Sequence, residues 1–113
     1  MPPVIHNLKK ALVLYVKKTY KTTMNKIIIN TKAQKQLGKL PDHIVRKLQT
    51  WAEQVEMMGI KAVREIVGYH DEPLRGNRYG QRSIRLSKAY RAFYIEHGNA
   101  IVIEIIEVNK HEY

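Results

Sequence analysis

Between Arg75 and Arg91 the sequence carries six cations, Arg75, Arg78, Arg82, Arg85, Lys88 and Arg91, and no acid. Clustered guanidinium groups repel one another, and an anion is the natural compensator. The planar fork of arginine matches phosphate oxygens. Strand alternation over 81–86 puts Ser83 and Arg85 on one face and Ile84 and Leu86 on the other. A short return through Ser87, Lys88 and Ala89 brings Arg91 beside that strand. Arg85 and Arg91 are therefore expected to converge on one face, with Arg75 and Arg78 added from the preceding loop. Tyr79 can stack on a base. Tyr90 shares the parity of Ala92 and Tyr94 and is expected in the core. The last residues, Asn109 to Tyr113, hold two more groups suited to phosphate chemistry. His111 titrates near neutral pH and can act as a general acid or base. Tyr113 can hydrogen-bond a phosphate or a 2′-hydroxyl. Gly76 and Gly80 frame the loop but make no phosphate-binding P-loop, since no Gly-Lys-Ser/Thr follows.

These groups need elements to position them. Ile27-Ile28-Ile29 is β-branched and predicts a buried strand. Asn30 or Thr31 can cap a helix over 31–38 that stops at Gly38. Leu40-Pro41 opens a second helix, because proline is tolerated at a first helical position. Its apolar residues Ile44, Val45, Leu48, Trp51, Ala52, Val55 and Met58 trace one helical face, and Gly59 ends it. A weaker helical segment follows over 60–67, ending at Gly68. Strands are predicted at 81–86, 90–96 and 100–108, with a further short one near 72–74. The last strand is apolar on both faces and is expected to be central in the sheet. The order predicts an α+β domain: an N-terminal strand, two α-helices, then an antiparallel β-meander. The helices would lie on one face of the sheet, leaving the other open to a ligand.

The 113 residues suit one domain and carry a net charge of +10. Such a field favours polyanionic partners. Half of it comes from five lysines in residues 1–23, which contain no acid. That segment is expected to be an appendage, either a short amphipathic helix or partly disordered, ahead of a domain over 24–113. Met24 could serve as an alternative translation start. The apolar run 11–16 is far short of the ~20 residues a membrane span needs. Lys17, Lys18 and Lys21 follow it in place of a signal cleavage site. No membrane association is expected. There is no cysteine, which excludes disulfides and Cys-ligated metals and fits a cytoplasmic setting. His70-Asp71-Glu72 lacks the spacing of a helical metal site, so neither a metal nor a cofactor is expected.

The run Glu72-Pro73-Leu74-Arg75-Gly76-Asn77-Arg78-Tyr79-Gly80-Gln81-Arg82-Ser83-Ile84-Arg85-Leu86, followed by Ala89-Tyr90-Arg91-Ala92-Phe93-Tyr94, resembles the HigB branch of the RelE/ParE toxin superfamily. The ending Val108-Asn109-Lys110-His111-Glu112-Tyr113 is similar to the terminal His and Tyr segment of RelE-type nucleases. The resemblance implies a RelE-like fold and the toxin of a type II toxin–antitoxin pair. It implies a metal-independent endonuclease that cuts translated mRNA in the ribosome through attack of the RNA 2′-hydroxyl. Arg85, Arg91, His111 and Tyr113 would be catalytic, and Arg75, Arg78, Arg82, Lys88 and Lys110 would bind RNA phosphates. The general base is left open among Lys110, Glu112 and Tyr113. The implied partners are the ribosome, mRNA and a cognate antitoxin of helix-turn-helix type, with DNA met only through the antitoxin complex. The alternative on the same fold is a ParE-like inhibitor of DNA gyrase, which acts by binding.

Overall fold

The computed structural model describes residues 25–99 and 102–110. The expected appendage at 1–23 and the catalytic candidates His111 and Tyr113 lie outside the described residues.

Strand β1, Lys26–Ile29, alternates exposed and buried positions, sending Ile27 and Ile29 into the core. It pairs in parallel with β5, Val102–Lys110. Helix α1, Thr31–Leu37, starts at once because the Asn30 side chain accepts a hydrogen bond from Ala33 N at 2.8 Å. This satisfies one of the unpaired amides of the first turn. Beyond the end of β1, α1 stands beside the second half of β5. The Val108 amide there donates to Gln36 Oε1 at 2.7 Å, so a side chain replaces the missing strand partner.

Helix α2, Asp42–Met58, begins one residue later than the sequence suggests, with Pro41 at the N-cap position. It buries Ile44, Val45, Leu48, Trp51, Ala52 and Val55, as the spacing predicts. Met58 departs from that face and is 46% exposed, because the helix ends there and the chain turns away at Gly59. Gly59 has φ 86 and ψ 153, a region open essentially to glycine alone. Gly59→Ala is expected to destabilise the domain by about 1–3 kcal/mol. Urea unfolding would check this, and an unchanged midpoint would contradict it. Helix α3, Ile60–Arg64, follows directly and is tied to the start of β1 by Ile60 N donating to Asn25 Oδ1 at 2.7 Å. A 3₁₀ turn at Val67–Tyr69 carries the helical segment past Gly68.

Strand β2 is short, Glu72–Pro73. A second 3₁₀ turn at Gly76–Arg78 leads into β3, Gln81–Arg85, and β4, Tyr90–His97. The sheet order is β1-β5-β4-β3-β2. Strands β2 to β5 form the expected antiparallel meander, and β1 closes its far edge in parallel. Strand β5 is interior, as its apolar character requires, but β4 is the middle strand.

One core unites the sheet's inward residues (Ile84, Ala92, Tyr94, Ile103, Ile105 and Val108 among them) with the buried faces of α1, α2 and α3. Trp51 and Tyr94 meet at its centre, with ring centroids 5.3 Å apart and planes tilted by 47°. Tyr90 packs against the same cluster, as its parity predicts.

Candidate functional site

On the sheet face away from the core, β3 and β4 place Arg85 directly opposite Arg91. The hairpin joining them is short and internally tied. Leu86 N donates to Tyr90 O at 2.9 Å, and Ser87 Oγ accepts from the amides of Ala89 and Tyr90, each at 3.2 Å. Like charges directly opposite each other across a strand pair are destabilising. The fold compensates weakly. Arg91 is only 14% exposed at its side chain, yet its contacts are long: 3.4 Å to Ser83 Oγ and 3.8 Å to Glu72 Oε1. Arg85 is half-buried and has no hydrogen bond or ion pair among the described residues. Two guanidinium groups brought together by the strand register, without a close anion, form a site suited to one.

A second group lies further along the same face. Arg78 stacks on Phe93, with its guanidinium carbon 4.1 Å from the ring centroid. It donates to Gln81 Oε1 at 2.8 Å and to Glu107 Oε1 at 3.0 Å. Lys32, from α1, reaches the same carboxylate at 3.2 Å, and the Asn109 amide donates to its other oxygen. A register irregularity puts Glu107 there. Phe93 pairs with Glu107 and Tyr94 with Ile105, leaving Ile106 as an extra residue in β5. After this bulge the parity of β5 switches, so that Val108 faces the core while Glu107 and Asn109 face out.

Partial burial pushes the Glu107 carboxyl up, but the hydrogen bonds and charges of Arg78 and Lys32 outweigh it. The group is held below the ordinary carboxylate range. A pKa depressed by folding stabilises the fold in full above the unfolded value, about 4.3. That contribution is lost as pH falls through the folded value. Glu107→Gln is therefore expected to cost about 0.5–1 kcal/mol at pH 7 and progressively less in acid. A wild-type and variant pair whose stabilities differ equally at pH 3 and pH 7 would contradict this.

The other expected phosphate ligands are scattered. Arg75 and Lys88 are exposed, on the loop before β3 and on the hairpin. Lys110 is exposed at the end of β5, opposite Tyr90. Arg78 is on the open face, but its charge is largely engaged by Glu107. Arg82 differs in its surroundings. It shares the parity of Ile84, so its side chain is on the helix-covered side of the sheet. There it donates to Asp71 Oδ1 at 2.7 Å. The same buried carboxylate accepts from Tyr94 OH at 2.6 Å, while Arg64 bonds Glu96. Burial and the Asp71 hydrogen bond hold the Tyr94 phenol well above its ordinary pKa. Arg82 is thus part of a structural network.

Asn109 is directly across from Arg91, so the described end of β5 runs beside the arginine pair. Sequence reasoning missed Glu107, Lys32 and Phe93 as members of this face. An acid within an otherwise apolar strand was the available signal for Glu107.

No protein-family model matches the sequence, and no curated protein does. Solved structures do match the fold. The YoeB/ParE toxin from Agrobacterium tumefaciens superposes with a TM-score of 0.60 at 17% identity, covering 76% of this chain and 98% of its own. RelE in the RelE–RelB complex from Pyrococcus horikoshii gives 0.60 at 21% identity, covering 77% and 94%. YafQ from E. coli gives 0.63 at 12% identity, covering 77% and 93%. The chain has the RelE/ParE toxin fold. Within that fold the Arg85–Arg91 pair is on the sheet face that no helix among the described residues covers, at the end of the β3–β4 hairpin. Among the described residues no helix is long and apolar enough to cross a membrane.

Proposed function

We propose that this chain is the toxin of a type II toxin–antitoxin pair and cleaves translated mRNA on the ribosome without a metal. The observation that carries the reading is the cross-strand pair of Arg85 and Arg91, two half-buried guanidinium groups with no close anion. The RNA supplies its own nucleophile. The 2′-hydroxyl oxygen attacks the adjacent phosphorus as its proton passes to a base on the protein. The bond from phosphorus to the 5′-oxygen breaks, leaving a 2′,3′-cyclic phosphate and a free 5′-hydroxyl. Arg85 and Arg91 hold the phosphoryl oxygens as negative charge builds on them. Fixed donors of this kind are typically worth about 10²–10³ in rate each. His111 donates the proton that the departing 5′-oxygen needs, and Tyr113 binds the phosphate beside it. General-acid catalysis contributes about 10²–10⁴.

The base stays among Lys110, Glu112 and Tyr113. Glu107, although on the same face, is a weaker base than an ordinary carboxylate, since Arg78 and Lys32 stabilise its ionised form. Exposed Arg75, Lys88 and Lys110 add long-range attraction for the RNA backbone. Residues 24–113 form the toxin domain, with 1–23 an appendage to it. The partner is a cognate antitoxin: the archaeal RelE neighbour is bound to RelB, and the Staphylococcus aureus YoeB neighbour to YefM.

The test is to supply purified protein with translating ribosomes and mRNA and to map new 5′ ends. Cleavage by the wild type, lowered about 10²-fold or more in His111→Ala, is the expected result. Intact mRNA together with inhibited gyrase supercoiling would replace this reading with the gyrase-inhibitor one.

A further inference from the structure

The hairpin end of β3 borders an open cavity of about 470 Å³ that the arginine pair does not fill. Its lining is Lys47 from α2, Gly68 from the 3₁₀ turn, and Arg85, Leu86, Ser87 and Lys88 from the end of β3 and the hairpin. Three cations from three separate segments line it, and no acid is among the described residues of the lining. Lys47 is partly fixed: its ammonium lies 5.0 Å above the ring centroid of Tyr69, a buried tyrosine whose hydroxyl bonds Gln54. A cation held over an aromatic face has less freedom to lose on meeting a ligand. Gly68 leaves its wall clear, since a Cβ built there meets no atom within 4 Å.

We propose that this cavity is a second phosphate subsite, which holds the RNA phosphodiester next to the one cleaved. This rests on the nuclease reading for its orientation. Arg85 belongs to both places, lining the cavity and standing opposite Arg91. On this proposal an anion in the cavity neighbours the one at the arginine pair, across Arg85. Consecutive phosphates of one strand meet that requirement without a second ligand. The open mouth suits a chain passing through better than an enclosed small molecule. Lys47 and Lys88 act here as positioning residues, fixing the register of the strand so that one phosphate falls between Arg85 and Arg91.

The experiment uses the full chain and 2′-deoxy oligonucleotides, which lack the nucleophile and cannot be cut. A dinucleotide carries one phosphodiester and a trinucleotide two. Binding is followed by NMR titration at low ionic strength. Wild type should bind the trinucleotide about tenfold more tightly than the dinucleotide, the worth of one charge-assisted contact. Lys47→Gln should abolish that preference and reduce the salt slope for the trinucleotide by about 0.7. Gly68→Asp, which places an acid in the cavity at a position with room for it, should do the same, with Gly68→Asn as a neutral control of equal size. Arg91→Ala should weaken both ligands. Retention of the trinucleotide preference in Lys47→Gln and Gly68→Asp overturns the proposal, as does a wild type that binds neither oligonucleotide or prefers an acidic peptide. A Lys47-dependent preference in a protein that leaves ribosome-bound mRNA intact keeps the subsite and removes the nuclease reading.

Discussion

On the proposed nuclease function, Arg91→Ala is expected to lower ribosome-dependent mRNA cleavage by about 10²–10³-fold in kcat/KM. The guanidinium is held by position, not by strong partners. It sits across β3–β4 from Arg85, with only long contacts to Ser83 and Glu72. In the proposed reaction its charge is thus available to the phosphoryl oxygens as negative charge accumulates on them. Arg91→Lys keeps the charge but loses the planar fork, so its rate falls between the two. The same geometry carries a stability signature. Two cations face each other on one strand pair, so Arg85→Glu turns a repulsive pair into an attractive one. We expect that variant to gain up to about 1 kcal/mol, or roughly 4–8 °C in Tm for a domain of this size, while cleavage disappears. Single-turnover cleavage and thermal melts on the same preparations check both halves. A melting temperature that falls in Arg85→Glu, or cleavage that survives in Arg91→Ala, would remove the arginine pair from the mechanism.

Asp71→Ala carries the largest expected cost to stability. The Asp71 carboxylate is 1% exposed and takes two close donors, Arg82 Nε at 2.7 Å and Tyr94 OH at 2.6 Å, with Arg64 Nε 3.9 Å away. Removing it leaves the Arg82 guanidinium without its carboxylate and a buried phenol without its acceptor. Breaking a buried pair from one side costs about 3–5 kcal/mol. Arg82 is 21% exposed, so water recovers part of the loss and the lower end applies. That is still a large fraction of the ~5–15 kcal/mol by which a domain is stable. Tyr94→Phe deletes a single neutral donor and should cost about 1 kcal/mol. Urea unfolding with an unchanged m-value reads both directly. Equal effects from the two variants would mean that the carboxylate is not the hub of the network. Arg82→Ala should likewise act on stability and leave the salt dependence of RNA binding unchanged.

Much of this was legible in the chain because local periodicity carried it. Ile44, Val45, Leu48, Trp51, Ala52 and Val55 announce the buried face of α2, and Gly59 its end. The three-residue link 87–89 allows only a tight return, so the meeting of Arg85 and Arg91 follows from alternation and hairpin length. The Arg82–Asp71 ion pair was not foreseen because charge was weighed over parity. The spacing of Arg82 from Ile84 already put it on the covered side, but the acid that makes burial tolerable is eleven residues away at Asp71, in a segment without periodicity. Met58 was assigned to the core by helical spacing, which cannot register that the helix stops there.

The sequence by itself determined the element order, the inward set of the core, the antiparallel return that pairs two arginines, and a positive field suited to a polyanion. These are properties of neighbours along the chain. Tertiary structure alone decided three matters. The parallel docking of β1 against β5 set α1 beside the open face, where Lys32 reaches Glu107. The extra residue at Ile106 switched the parity of β5 and turned Glu107 and Asn109 outward. The packing of α2 placed Lys47 in the lining of the same cavity as Arg85. Each depends on contacts between residues far apart in the chain, whose relative placement is fixed by the shape of the packed core and not by any local pattern.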